Sequence, residues 1–336
     1  MFVDFHYYTI YTLCCLAGMD SACSKKVAYS SQHTDDTKYG HELNFTSGGR
    51  YQQTMSAHKY LDFKFFSKKV GYDILLPFHF LPCAEGDEFE DRLICKKNSL
   101  IALELLKDTL KTLDKPFGMY RLGVTLHVYA DTWSHHNFVG LLKKQNEISN
   151  LTYINEDVGL LKNFIAPLVP PISHGQALEA PDTSYLQWKY SGHKSNEQIE
   201  NNNTEKFIDA AYHIYSYLTE EVYPVIPNLF PNKPKKWEQI KSKLDRMLSY
   251  KGSIDDCQQK WHEEIKNNYF GFSSNVYYDD REWFREAVEV TQIDFFELYD
   301  KKPYFEISNW KYFHDALAYH SFYIKHELLP QYGIFT

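Results

Sequence analysis

The chain has 336 residues, a net charge of −8 and 43% hydrophobic side chains, which suits one large domain or two ordinary ones. No Lys/Arg-rich run is long enough to cover a stretch of phosphate backbone, so charge-driven binding to duplex nucleic acid is not expected. Aromatic residues reach 17%, with 27 Tyr and 23 Phe, to fill a core or line a groove.

The opening segment MFVDFHYYTIYTLCCLAG is apolar but lacks a basic n-region, and Asp4 and His6 interrupt it, so it does not read as a signal peptide. No run reaches the length of a membrane span. A cytoplasmic location is expected, or export without a cleavable leader. The six cysteines, at 14, 15, 23, 83, 95 and 257, form no CxxC pair and read as reduced thiols.

In chain order, Tyr8 to Gly18 reads as a helix ending at a glycine. Loops follow at HELNFTSGGRYQQ and LPFHFLPCAEGDEFED. Asn98 to Leu113 is amphipathic at helical spacing, and Arg121 to Leu142 is apolar enough to be a central helix. APLVPPISHGQALEAPDTS reads as a loop. Residues 191–203 are polar and Asn-rich, a flexible connection between a metal-binding core (1–190) and C-terminal helices (204–336) that complete the core and shape a substrate groove. Helical periodicity recurs in NTEKFIDAAYHIYSYLTEEV, PKKWEQIKSKLDRMLSY, DDCQQKWHEEIKNN, DDREWFREAVEVTQIDFF and NWKYFHDALAYHSFYIKHELL. With few alternating patterns, the expected class is all-α, a multi-helix bundle.

The central segment carries His127, Asp131 and His135 at i, i+4 and i+8. Each four-residue step drifts by only about 40°, so the three share one face. Burying several ionisable groups on an apolar helix is costly unless a cation compensates, and imidazole nitrogen with carboxylate oxygen suits zinc. His136 points away from His127 and is the weaker donor. Further candidates are Asp4, His6, Asp35, Asp36, His58, His174, Glu179 and Asp182. His33, His41 and His79 read as loop or packing residues. His314, His320 and His326, six apart on one helix, read as structural. Nine of the fifteen histidines fall within the first 174 residues.

The order His6, Asp35 or Asp36, His58, His127-x3-Asp131-x3-His135, His174 resembles the zinc-dependent phospholipase C and single-strand-specific zinc nuclease superfamily. Those all-helical enzymes hold three zinc ions with ligands in that order. The segments DFHYYTIYTLCCLAG, SSQHTDD, SAHKYLDF, PFHFLP and LGVTLHVYADTWSHHNF also resemble an uncharacterised bacterial family of that outline. The resemblance covers roughly residues 1–190. It implies one zinc on Asp35 (or Asp36), His58, His127 and Asp131. Asp131 would bridge to a second zinc at His6, and His135 and His174, with Glu179 or Asp182, would hold a third.

Three departures stand out. The familiar enzymes use the amine and carbonyl of an N-terminal tryptophan beside the first histidine; here Asp4 would substitute. The histidine after the bridging aspartate comes four or five residues on rather than six, leaving His135 and His136 both open. Leu178 stands where a carboxylate usually follows the last histidine, so two zinc ions rather than three are an alternative. The implied activity is hydrolysis of a phosphoester by a metal-activated water, with Asp35 or Asp36 as general base. The substrate would be a phospholipid headgroup ester, which requires contact with a membrane surface, and no obligate protein partner is expected. No GxSxG, GxxxxGK[ST] or HExxH motif suggests another mechanism. The alternatives are a nuclease or nucleotidase of the same superfamily, an HD-type phosphohydrolase using His314-Asp315, and a non-enzymatic helical protein with a structural metal.

Overall fold

The central helix, α4 (Gly118–Ser134), organises the molecule. All of its residues except Met119 are buried, as expected for a helix that is apolar on every side. Four helices surround it: α2 (Ser21–Asp36), α3 (Leu100–Leu110), α5 (Asn203–Tyr217) and α9 (Asn309–Phe322). The computed structural model describes residues 1–58, 67–156, 165–193, 198–293 and 296–336. Among these, no helix is long and apolar enough to cross a membrane.

Local chemistry sets the helix boundaries. The first helical stretch begins earlier than periodicity suggests, as a π-helical turn over Asp4–Thr9 that runs into α1 (Ile10–Leu16). It stops at Gly18, whose φ of +101° a side chain would resist. Asp20 caps α2 by accepting from the N–H groups of Ala22 and Cys23. The central helix ends at Ser134 rather than Leu142. His135 and His136 lie past the last turn, and Asn137 adopts a left-handed φ of +75°.

The all-α expectation is overturned. Among the described residues the fold is mixed α/β, with three small antiparallel sheets beside the helices. Strands β1 (Glu42–Asn44) and β2 (Arg50–Gln52) form a hairpin. Strands β3 (Ile148–Tyr153), β4 (Gln187–Gly192) and β5 (Gln198–Asn202) form a sheet in that order. The segment read as one helix from Asp279 divides: α8 (Glu282–Ala287) gives way to β6 (Val288–Ile293), paired with β7 (Phe296–Lys301). Asp294 and Phe295 lie outside the described residues. The β-branched run of Val288, Val290, Thr291 and Ile293 favours extended backbone and outweighs the helical periodicity around it.

The Asn-rich connection is also more ordered than expected. Residues 194–197 lie outside the described residues, but apart from the turn at His193 the rest of 191–203 belongs to β4, β5 and the start of α5. Asn202 caps α5. Buried Asn203 donates to the carbonyls of Ala180 and Thr183 and accepts from the Trp188 indole. These asparagines are junction residues. The C-terminal helices α6 (Trp237–Leu248), α7 (Ile254–Lys266) and α9 share one apolar core with α1 to α4. A smaller cluster, around Phe80, Phe138, Trp188 and Tyr190, packs under the three-stranded sheet.

Candidate metal centre

Asp131 lies in the last turn of α4 with its carboxylate 1% exposed. Its Oδ1 is 3.1 Å from His6 Nε2 and 3.1 Å from the Met1 amino group. Its Oδ2 is 3.3 Å from both His79 Nδ1 and His127 Nε2. Asp35, at the end of α2, stands across from it, 3.6 Å from His79 Nδ1 and 3.7 Å from His127 Nε2. Beyond the helix end, Asp182 Oδ1 is 3.3 Å from His135 Nε2 and 2.8 Å from the Met1 amino group, and its Oδ2 is 3.3 Å from His174 Nε2.

Among the described residues three donor sets emerge: His6–His127–Asp131, Asp35–His79–His127 and His135–His174–Asp182, each with donor atoms within 4.8 Å of one another. Donors around a tetrahedral cation with bonds near 2.1 Å stand about 3.4 Å apart, and the contacts above fall around that figure.

The imidazole tautomers point the same way. His79 Nε2 lies 2.8 Å from the Ser56 carbonyl, His135 Nδ1 2.8 Å from the His79 carbonyl and His174 Nδ1 2.9 Å from the Leu178 carbonyl. A carbonyl only accepts, so each of these nitrogens carries the proton. In the neutral ring, the other nitrogen then turns a lone pair toward a carboxylate. Two lone pairs facing each other repel unless a cation stands between them, and metal-ligating histidines characteristically donate their far N–H to such a carbonyl. His6 and His127 turn Nε2 to the same place, with Nδ1 buried and without a hydrogen-bond partner among the described residues.

The electrostatics fit a cation-binding cluster. Burial pushes the His6 pKa well below its usual value, helped by His127 and the Met1 amine. Burial likewise holds His174 to about 4. For His135, burial opposes the charge but Asp131 and Asp182 outweigh it, and its pKa rises. Burial alone would raise Asp131 and Asp182. Instead the neighbouring histidines and the Met1 amine hold both well below the carboxylate range. Burial works against the Met1 ammonium too, but Asp131, Asp182 and Asp35 raise it to about 11. The Asp35 side chain is 30% exposed and lines the cavity. Desolvation by the protein around it raises its pKa.

The residues singled out in the sequence divide accordingly. His6, Asp35, His127, Asp131, His135, His174 and Asp182 converge. Asp36 does not: its carboxylate accepts from Tyr278 and Gln32 and pairs with Lys38. His136 turns away and accepts from the Lys97 N–H. Asp4 turns away as well, because residues two apart on a helical turn do not share a face. It accepts from the Phe5 N–H and lines a neighbouring cavity, as does Glu179. His58 lines the main cavity but stands outside the three donor sets. The place foreseen for it is taken by His79, read from sequence as packing. The one available signal was positional, since His79 is the other histidine between Asp35 and His127 apart from His41 and His58. His314 and Asp315 do not form an HD-type pair: His314 accepts from the Thr54 N–H and Asp315 is paired with Lys311.

The cluster opens on a cavity of about 700 Å³ whose far wall includes Asp36, Lys38, Tyr277, Tyr278, Asp279 and Asp280. These features define a class: a mixed α/β protein whose buried His/Asp groups could hold metal ions beside a cavity. The chain belongs to the Family of unknown function (DUF6765), which matches residues 1–328. No curated protein and no solved structure gives a significant match.

Proposed function

We propose that the protein is a zinc-dependent phosphoester hydrolase acting on small esters, phospholipid headgroup esters foremost. The observation that carries the reading is the convergence of five imidazoles and three carboxylates in one buried cluster, six of the eight lining a cavity, with three of the rings oriented through their far nitrogen by a backbone carbonyl. Zinc bound there would supply a water ionised near neutral pH and neutralise charge on the phosphoryl oxygens.

The donor sets limit how many ions fit. A ring nitrogen offers one lone pair, so His127 Nε2 serves only one of the two sets it belongs to. Two positions are therefore fully furnished, and a third, at His6, depends on Asp131 presenting one oxygen to each side. Asp35 is the carboxylate suited to a proton-accepting role. It lines the cavity. Asp36, Asp279 and Asp280 on the far wall, against Lys38, repel a long polyanion, which favours a small phosphoester over a polynucleotide.

The test is elemental analysis of the purified protein, followed by a hydrolysis screen with zinc restored. Two or three zinc ions per chain and turnover of phosphodiesters are expected. Absence of bound metal after zinc is added back would sink the reading.

A further inference from the structure

At the rim beside His174, two neighbouring segments hold apolar side chains in solvent. Leu142 is 52% exposed, Ile165 41% and Leu168 69%, and Pro167 and Pro170 are exposed with them. The base of this loop is firmly held. Leu142 bridges Ile172, the Lys143 N–H donates to the Pro171 carbonyl, and the buried Asn146 amide donates to the carbonyls of Val139, Leu141 and Pro171. The Gln176 amide donates to the Val169 carbonyl. The loop then runs straight into Ser173 and His174, which line the main cavity.

The geometry points to the 165–170 loop, together with Leu142, as the element that docks the protein on a phospholipid surface. This rests on the phosphoester reading above, because a headgroup ester is presented only at such a surface. Three large side chains are far too few to approach the ~800 Å² per partner that a stable protein interface needs. A bilayer requires less: a few apolar side chains entering the acyl boundary and a cation at headgroup level. Lys144, exposed beside Leu142, supplies that cation. Two prolines and the Asn146 staple limit the freedom lost on insertion.

The experiment is co-sedimentation of the full chain with phosphatidylcholine–phosphatidylglycerol vesicles, comparing wild type with I165D/L168D. Both positions are solvent-facing, and circular dichroism checks that the fold is kept. The wild type should pellet, and the variant's partition should fall by about tenfold or more. Hydrolysis of a water-soluble nitrophenyl phosphodiester should be unchanged, while hydrolysis of vesicle lipid drops with binding. Equal sedimentation of the two proteins, or a wild type that stays in the supernatant, overturns the proposal. A solution dimer that I165D/L168D splits also overturns it, in favour of a protein interface. Loop-dependent sedimentation with neither substrate hydrolysed upholds the docking surface and removes the hydrolase reading instead.

Discussion

Gly123→Ala tests the packing that brings the donors together. Gly123 lies on α4 against α2, and a Cβ built there would stand 2.2 Å from the Val27 carbonyl oxygen and 2.6 Å from Ser30 Cβ. The nearer obstacle is helix backbone, which cannot swing aside as a side-chain tip can, so the two helices must part by about 1 Å. Two effects oppose each other. Alanine is worth about 1 kcal/mol over glycine in a helix interior, whereas overpacking costs about 1–3 kcal/mol. With the contact on backbone the upper end of that cost applies, leaving a net loss of about 1–2 kcal/mol and, for a chain of this length, a fall in Tm of about 1.5–3 °C. The displacement also reaches the site, since the last turn of α2 carries Asp35, whose oxygen is 3.7 Å from His127 Nε2 on α4. Metal–ligand distances tolerate only about 0.2 Å, so zinc content should fall as well. Thermal unfolding in chelator and zinc per chain after dialysis measure the two effects separately. A variant more stable than wild type would refute the close approach. Lower stability with unchanged zinc would refute the role of Asp35.

Asp131→Asn should remove about one ligand's share of a site worth ~10–16 kcal/mol, weakening zinc binding by about 100-fold. Zinc at ~100 times the wild-type Kd stabilises wild type by about 2.7 kcal/mol, or about 4 °C in Tm, while the variant should gain only about 0.6 °C. Equal zinc-induced shifts would show that Asp131 is not a ligand. His79→Ala should lower zinc per chain and His58→Ala should not; the reverse outcome would restore the assignment made from sequence. Burial depresses His320 to about 3 from 6.5, so the unfolded chain takes up its proton first as pH falls. Stability should then drop by about 1.4 kcal/mol per pH unit between about 6.5 and 3 for this group. His320→Gln should make the acid limb of a denaturation series in chelator shallower, and identical limbs would count against a neutral buried His320.

Much of the candidate centre was legible because one helix carries its middle. The i, i+4, i+8 spacing of His127, Asp131 and His135 survives the early end of α4, since His135 follows Ser134 directly and stays near Asp131, at 3.6 Å. Asp182 rather than Glu179, His135 rather than His136 and Asp35 rather than Asp36 were alternatives that only a fold can separate, because each pair differs by a side chain's direction. The strands were hidden for a different reason. β6 and β7 are short and largely exposed, so they lack the alternating burial that marks a strand in sequence, while the aromatic residues around them keep a helical rhythm.

What stayed illegible is chiefly backbone. The rings of His79, His135 and His174 are oriented by the carbonyls of Ser56, His79 and Leu178, and every residue has a carbonyl, so no residue type announces the role. His79 shows the consequence most plainly. Its ring faces Asp35, His127 and Asp131 at one position, while its carbonyl fixes the tautomer of His135 at the next. The two roles separate under mutation. His79→Ala deletes the ring but keeps the carbonyl, so it should lose the cation at Asp35–His79–His127 and retain the one at His135–His174–Asp182. A variant that lost both would mean that the positions are coupled through the His79 side chain itself, and not through the backbone that joins them.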